Sequence, residues 1–180
     1  MEFSIYNEKV YKEIKRRIRR LQQVGTIDSL SIIGANIDNQ IGASFLSLKD
    51  LAKNYSTDEL IARALWGDKK REEQIFACFL FPDDLSEKKL LTLIDSCLNF
   101  EIAEYFGSML LARQKAFKTL IADWQDTDNT NLQVAILTSI ARYNIINQDK
   151  DNVDKNLKDR IVNRKYTNKY VQIVASRQKI

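Results

Sequence analysis

Proline and glycine are scarce in this chain, and their scarcity constrains the fold more than any other feature. One proline, Pro82, and five glycines are spread over 180 residues. The tightest hairpin turns favour glycine where φ is positive and many turns favour proline, so a protein of many short strands has little of either to be built from. Ile, Leu and Lys are the most frequent residues, with Ala and Arg also common, and these are strong helix formers or readily accommodated in helices. The sequence predicts an all-α protein.

With 44% apolar residues, a chain of this length can bury one sizeable core, so residues 1–180 are expected to form a single domain. It has no run of eighteen apolar residues, and Met1-Glu2-Phe3-Ser4 does not open as a signal peptide or an anchor. A cytoplasmic protein with no membrane partner is expected. Cys78 and Cys97 each fall inside an apolar helical pattern and read as small hydrophobes rather than as a disulfide. Histidine is absent. Its absence removes the commonest general base, the Ser-His and Cys-His nucleophile pairs and the commonest zinc ligand. Two scattered cysteines do not make a zinc site. No metal and no cofactor are expected, and any chemistry has to run on carboxylates, arginines, aromatics and backbone dipoles.

The net charge of +4 hides an asymmetry. Residues 1–20 hold seven Lys and Arg against three acids, residues 150–180 hold nine against three, and the middle carries −6. Opposite fields in separate segments suggest a partner surface. The first cluster, Lys12, Lys15, Arg16, Arg17, Arg19 and Arg20, rides on a helix whose apolar residues Tyr6, Val10, Ile14, Ile18 and Leu21 recur every three or four positions. The stripe should pack inward and the cations face water. The second cluster is Lys155, Lys158, Arg160, Arg164, Lys165, Lys169, Arg177 and Lys179. The two could neutralise several phosphates if the fold brings both ends to one side. Charge alone equally allows two solvated helix faces.

Along the chain, Gly25 and Gly34 interrupt the pattern, and one irregular helix is read between Thr26 and Ser44. A short helix follows from Ser47. Ser56 and Glu59 then form a capping-box signature opening a helix through Trp66, which Gly67 closes. The next helix carries Ile75, Phe76, Phe79 and Leu80 and stops before Pro82. Asp84 and Glu87 repeat the capping signature ahead of a helix burying Leu90, Leu91, Ile94, Cys97 and Leu98. Further helices run from Phe100 to about Ala112, Lys115 to Trp124, Asn131 to about Ile146, and through the C-terminal stretch. Starts at Thr57, Ser86 and Lys115 are 29 residues apart each time. That rhythm suggests helical hairpins stacked into a short HEAT-like α-α superhelix with a concave surface. A compact helical bundle is the alternative.

Three stretches carry a family resemblance. Residues Gly42-Ala43-Ser44-Phe45-Leu46-Ser47-Leu48-Lys49-Asp50-Leu51-Ala52-Lys53, then Glu59-Leu60-Ile61-Ala62-Arg63-Ala64-Leu65-Trp66 followed by Arg71-Glu72-Glu73-Gln74-Ile75-Phe76-Ala77, then Asn99-Phe100-Glu101-Ile102-Ala103-Glu104, resemble the DNA alkylation repair (AlkD-like) family, the last in a variant branch. The likeness covers about residues 40–145 and continues weakly through Tyr170-Val171-Gln172. It implies a HEAT-like superhelix whose basic face grips duplex DNA. In active members it implies a monofunctional glycosylase that excises cationic alkylated purines. There an aromatic and an aspartate lie beside the lesion, and the carboxylate stabilises the developing oxocarbenium charge.

The resemblance places the aromatic on Phe100 and the carboxylate on Glu104, four residues apart and so on one helix face. Phe stands where the family has Trp, and Glu where it has Asp. Leu132 and Gln133 occupy the place of the family's arginine, and no tryptophan follows Trp124. These departures set a DNA-binding repair protein with weak or lost base excision beside an active glycosylase. Phe100 as core and Glu104 as a solvated helix residue paired with a cation is the plainer reading of the same two positions. DNA-binding residues are assigned to Lys15, Arg16, Arg17, Arg19, Arg20, Arg164, Lys165 and Lys169. A non-catalytic protein-interaction scaffold, docking a basic partner on the acidic middle, is the alternative function. A metal site on Asp123, Asp126 and Asp128 is the weakest reading, since these acids fit a polar loop better. Glu72 and Glu73 read as acids favouring a helix N-terminus.

Overall fold

The computed structural model describes residues 4–22, 41–147 and 152–178, and every regular element among them is helical. The irregular helix expected between Thr26 and Ser44 lies outside the described residues except for residues 41–44, which form no helix. The chain divides into two compact units, Met1–Pro82 and Asp83–Ile180.

The first unit contains α1 (Ile5–Arg20), α2 (Phe45–Ala52), α3 (Glu59–Gly67) and α4 (Arg71–Leu80). Ser4 caps α1: its hydroxyl accepts the Asn7 amide, and the Asn7 side chain accepts the Ser4 amide in return. Ile14 and Ile18 are fully buried, as the stripe predicts, with Val10 and Leu21 half-buried. Tyr6 departs from the expectation and is 72% exposed. The first turn is fastened by a polar bond instead, from Asn7 Nδ2 to Asp58 Oδ2 at 3.2 Å.

The cap of α3 is Asp58 rather than Ser56. One carboxylate oxygen, Oδ1, accepts the amides of Leu60 and Ile61 at 2.9 and 3.0 Å, satisfying two orphan donors of the first turn. Helix α4 packs against α1, α2 and α3 and is buried from Glu72 through Cys78. It ends at Leu80, and Phe81 is extended at φ −62°, ψ 142°, the conformation a following proline imposes. Trp66 is a core residue, packed edge-on against Phe81.

The second unit contains α5 (Glu87–Asp95), α6 (Phe100–Tyr105), α7 (Phe117–Trp124), α8 (Thr130–Asn147), α9 (Lys155–Asn163) and α10 (Lys169–Arg177). Helix α5 begins at Glu87 and buries Leu93 where Leu91 was expected, with Leu90 and Ile94 as read from the sequence. The helix expected from Phe100 to Ala112 exists but is not regular. It passes from α6 into a π turn at Phe106–Leu110 and a 3₁₀ turn at Leu111–Arg113.

The irregular stretch is pressed against α8 at Gly107. A Cβ there would meet the Thr138 hydroxyl and the Ala135 carbonyl far inside contact distance and lie 2.8 Å from the Ala135 Cα. Two of these three neighbours are backbone atoms, so the approach demands glycine. Helix α8 packs against α5, α6, the π turn, α9 and α10, and presents buried residues on most of its circumference from Leu132 to Ile140. Among the described residues no helix is long and apolar enough to cross a membrane.

Candidate nucleic-acid interface

On α1 the sequence separates apolar from basic positions, and the helix turns that separation into two faces. With Ile14 and Ile18 buried, Lys9, Lys12, Arg16, Arg19 and Arg20 are exposed. An open groove of about 500 Å³ is lined by Tyr11, Lys12, Lys15, Arg16, Arg19 and Arg20. Lys12 pairs with Glu8 one turn away at 2.6 Å, and Arg17 with Glu13 at 3.1 Å. Among the described residues Lys9, Arg16, Arg19 and Arg20 form no ion pair, so their charge is directed to solvent. Three basic residues in the last turn also sit at the negative end of the helix dipole. Arg17, assigned to the DNA-binding set, is half-buried, with its guanidinium 5.8 Å from the centre of the Tyr55 ring.

Lys15 is the inner member of the groove. Its ammonium donates to the Tyr11 hydroxyl at 3.0 Å and to Asp68 Oδ2 at 2.9 Å, while Tyr11 donates to the same carboxylate oxygen at 2.5 Å. Glu73 Oε1 lies 3.8 Å behind Lys15. Burial pulls the Lys15 ammonium down, but its bonds to Tyr11 and Asp68 and the charge of Glu73 outweigh that and hold it above the usual lysine range. Burial raises the Tyr11 phenol, and its bond to Asp68 adds to the rise. For Asp68, burial works upward, yet the donors Tyr11 and Lys15 bring the carboxyl below its ordinary range.

The neighbours Glu72 and Glu73 are both completely buried, where the sequence suggested a helix-end role. Their environments are opposite. Glu72 accepts the amides of Ile41 and Gly42, each at 2.9 Å, and lies beside the Arg71 guanidinium. Gly42 reaches that carboxylate with φ 82°, a left-handed conformation natural to glycine. Glu73 has no hydrogen-bond donor on either oxygen. Burial first, and then the adjacent Asp68 carboxyl, push Glu73 up to about 7. With a proton on Glu73, the pair becomes a donor and an acceptor instead of two like charges. A signal for this burial stood in the sequence: Glu72 and Glu73 precede Phe76 and Ala77 by four, which puts them on the core face.

The C-terminal cations behave differently. Arg164 donates to the backbone carbonyls of Gln125 and Thr127 at 3.2 and 2.8 Å and pairs with Asp128 at 3.0 Å, so it clamps the turn between α7 and α8. Lys165 and Lys169 are exposed and, among the described residues, form no ion pair. Lys179 lies outside the described residues. Asp128 is thereby a partner of Arg164, and no group of three metal-ligating side chains exists among the described residues.

Phe100 and Glu104 do share one face of α6, and a residue that motif reasoning left without a role meets both. The Tyr170 ring stacks on Phe100 with centroids 5.0 Å apart and planes at 22°. Its hydroxyl donates to Glu104 Oε1 at 2.6 Å. Arg177, two turns further along α10, reaches the same oxygen at 3.3 Å. Burial, then Glu104, push the Tyr170 phenol up to about 12. Asn168 fixes the start of α10 by accepting the amides of Tyr170 and Val171. Below Glu104 the π turn begins, and the Ser108 hydroxyl donates to the Glu104 carbonyl at 2.8 Å. Leu132 is core, and Gln133 donates to the Thr127 carbonyl at 2.8 Å, so neither offers a charge to this cluster.

Fold and side chains together define an all-helical protein with a cation-lined helix face in one unit and an aromatic-carboxylate cluster in the other. The chain matches no protein-family model, no curated protein and no solved structure.

Proposed function

We propose that this protein binds duplex DNA through the exposed cations of α1, as a HEAT-like helical-repeat protein of the DNA alkylation repair kind, with base excision weak or lost. The observation that carries the reading is the α1 groove, where Arg16, Arg19 and Arg20 stand beside Lys12 and Lys15 and, among the described residues, have no carboxylate partner. A row of guanidinium groups on one helix suits successive phosphates, since each can offer two parallel donors to an anion. The HEAT-like arrangement is supported by helix starts at Glu59, Glu87 and Phe117, a near-even spacing.

The state of Glu104 argues for weak or lost excision. A carboxylate stabilises a sugar cation through its net negative charge, which a neighbouring cation offsets. Here Oε1 already accepts from Tyr170 and lies beside Arg177, and the Phe100 face is covered by the Tyr170 ring.

Affinity for a short DNA duplex measured against salt concentration tests the reading. It should fall linearly on logarithmic axes, and replacing Arg16, Arg19 and Arg20 by alanine should reduce the slope by roughly two to three. Binding that ignores salt, or no binding at low salt, rejects the proposal. Release of 7-methylguanine and 3-methyladenine from methylated duplex, compared between the parent protein and Glu104→Gln, decides the catalytic part.

A protein-interaction scaffold is favoured by one observation, the exposure of Ile145 and Ile146 at the end of α8 and of Ile173 on α10. Capture of one stoichiometric protein, with no nucleic acid, supports that reading over DNA.

A further inference from the structure

The α1 groove has a carboxylate behind it that binding of a polyanion alone does not require. Glu73 is fully buried, neither of its oxygens has a hydrogen-bond donor, and its Oε1 lies 3.8 Å from the ammonium of Lys15, which lines the groove. A buried carboxylate without donors is held far more easily as the neutral acid than as the anion. Among the described residues the charged and titratable groups around it are few. Tyr11 and Lys15 come from α1, and Asp68 and Lys70 from the corner between α3 and α4. Helix α2 also packs on α4, but its Lys49, Asp50 and Lys53 are exposed. On α4 itself, Glu72 is engaged with the Ile41 and Gly42 amides and Arg71.

We propose that binding of a phosphate polyanion in the α1 groove is coupled to uptake of one proton by Glu73, which makes the groove a proton-responsive site. The inference rests on the reading of α1 as a DNA-binding face and adds its regulation. With Glu73 ionised, Lys15 is shared between two carboxylates, and the pocket formed by Lys15, Asp68 and Glu73 carries one net negative charge. When Glu73 takes a proton from solvent, its hydroxyl turns to Asp68 as donor and the same three residues become neutral overall. The groove in front of them gains the equivalent of one positive charge. A bound polyanion repels the ionised form and draws the proton in, so binding and protonation favour each other.

Burial and Asp68 place this titration near neutrality, at about 7, where it can respond to ordinary changes of pH. The chain contains no histidine, so no other side chain with an ordinary pKa changes charge between about pH 6 and 7.5.

The test is the affinity of the full chain for a short duplex DNA at about pH 6 and about pH 8 at low salt, with proton uptake measured by calorimetry in buffers of different ionisation enthalpy. Affinity should be roughly three- to tenfold tighter at the lower pH, the size expected for one charge a few ångströms behind the interface. Glu73→Gln should bind at the tighter level at both pH values, with no proton uptake. Asp68→Asn retains the Glu73 carboxyl and should move the midpoint of the pH dependence downward, which guards against a Glu73 variant that does not fold. Equal affinity at both pH values, or a pH dependence that survives in Glu73→Gln, overturns the coupling while leaving DNA binding intact. Absence of binding at every pH removes the DNA reading and this inference together.

Discussion

Each unit uses a helix near one chain end to bring a tyrosine hydroxyl and a cation to one carboxylate oxygen, and the two constructions differ in what stands behind them. In the first unit Tyr11 and Lys15 converge on Asp68; in the second, Tyr170 and Arg177 converge on Glu104. Behind the first triad lies Glu73, buried and without donors. Beside the second lies the Phe100 ring, stacked on Tyr170. The same three-part contact is therefore backed in one unit by a group that can change its charge near neutral pH and in the other by an apolar ring that cannot. The first can report pH; the second fixes geometry.

Gly107 is the position at which the second unit is most easily disrupted. An alanine there collides with the Ala135 backbone and the Thr138 hydroxyl, which cannot all withdraw, so the π turn beneath Glu104 would separate from α8. Gly107→Ala is expected to cost about 3 kcal/mol or more in denaturant unfolding. Near-parent stability would show that α8 yields at this point.

Next in size is the pH dependence of stability without DNA. Glu73 has its folded value raised to about 7 from an ordinary 4.5. Between those values the folded chain holds a proton that the unfolded chain has released, so stability falls as pH rises through that window. The loss is on the order of 3 kcal/mol by linkage. It is fully developed above the folded value and absent below the unfolded one. Glu73→Gln should flatten this part of the curve, whereas Glu104→Gln should leave it unchanged. A curve that rises across the window contradicts the buried neutral acid.

The smallest effects compare the two tyrosines. Tyr11→Phe and Tyr170→Phe each remove one hydrogen bond to a carboxylate, with an expected loss of about 1 kcal/mol, below the range for fully buried charged bonds because both sites are partly solvated. Tyr170→Phe keeps the ring on Phe100. The two losses should be alike near about pH 8. Tyr11→Phe should also alter the titration of Glu73 through Asp68, and an identical pH response in the two variants would remove the distinction between the units.

Much of the local structure was legible in the sequence. Scarce proline and glycine and a three-to-four apolar period point to the helical class, and Pro82 to the stop of α4, because both are consequences of backbone geometry within a few residues. Placement of Phe100 and Glu104 on one face follows from their spacing alone. At the start of α3, Ser56 and Asp58 both carry cap chemistry, and only the arriving backbone decides which oxygen meets the free amides. Tyr6 is exposed for a related reason: period places it on the stripe, but a stripe residue is buried only where a neighbouring helix reaches it.

What the sequence determined by itself is therefore the helices, the buried stripe at Ile14 and Ile18, and the supply of cations on α1 and in the C-terminal stretch. Tertiary structure alone decided which cations stay directed to solvent and which, like Arg164 and Arg177, are drawn onto carbonyls and a carboxylate. It also decided that Glu72 meets two amides while its neighbour Glu73 meets none. Helical period depends on contacts a few residues apart, which any short window of sequence contains. The charge state of a carboxyl depends on donors and charges brought from segments 30 to 60 residues away in sequence, such as Ile41 for Glu72 and Lys15 for Glu73, and only the packed fold brings them together.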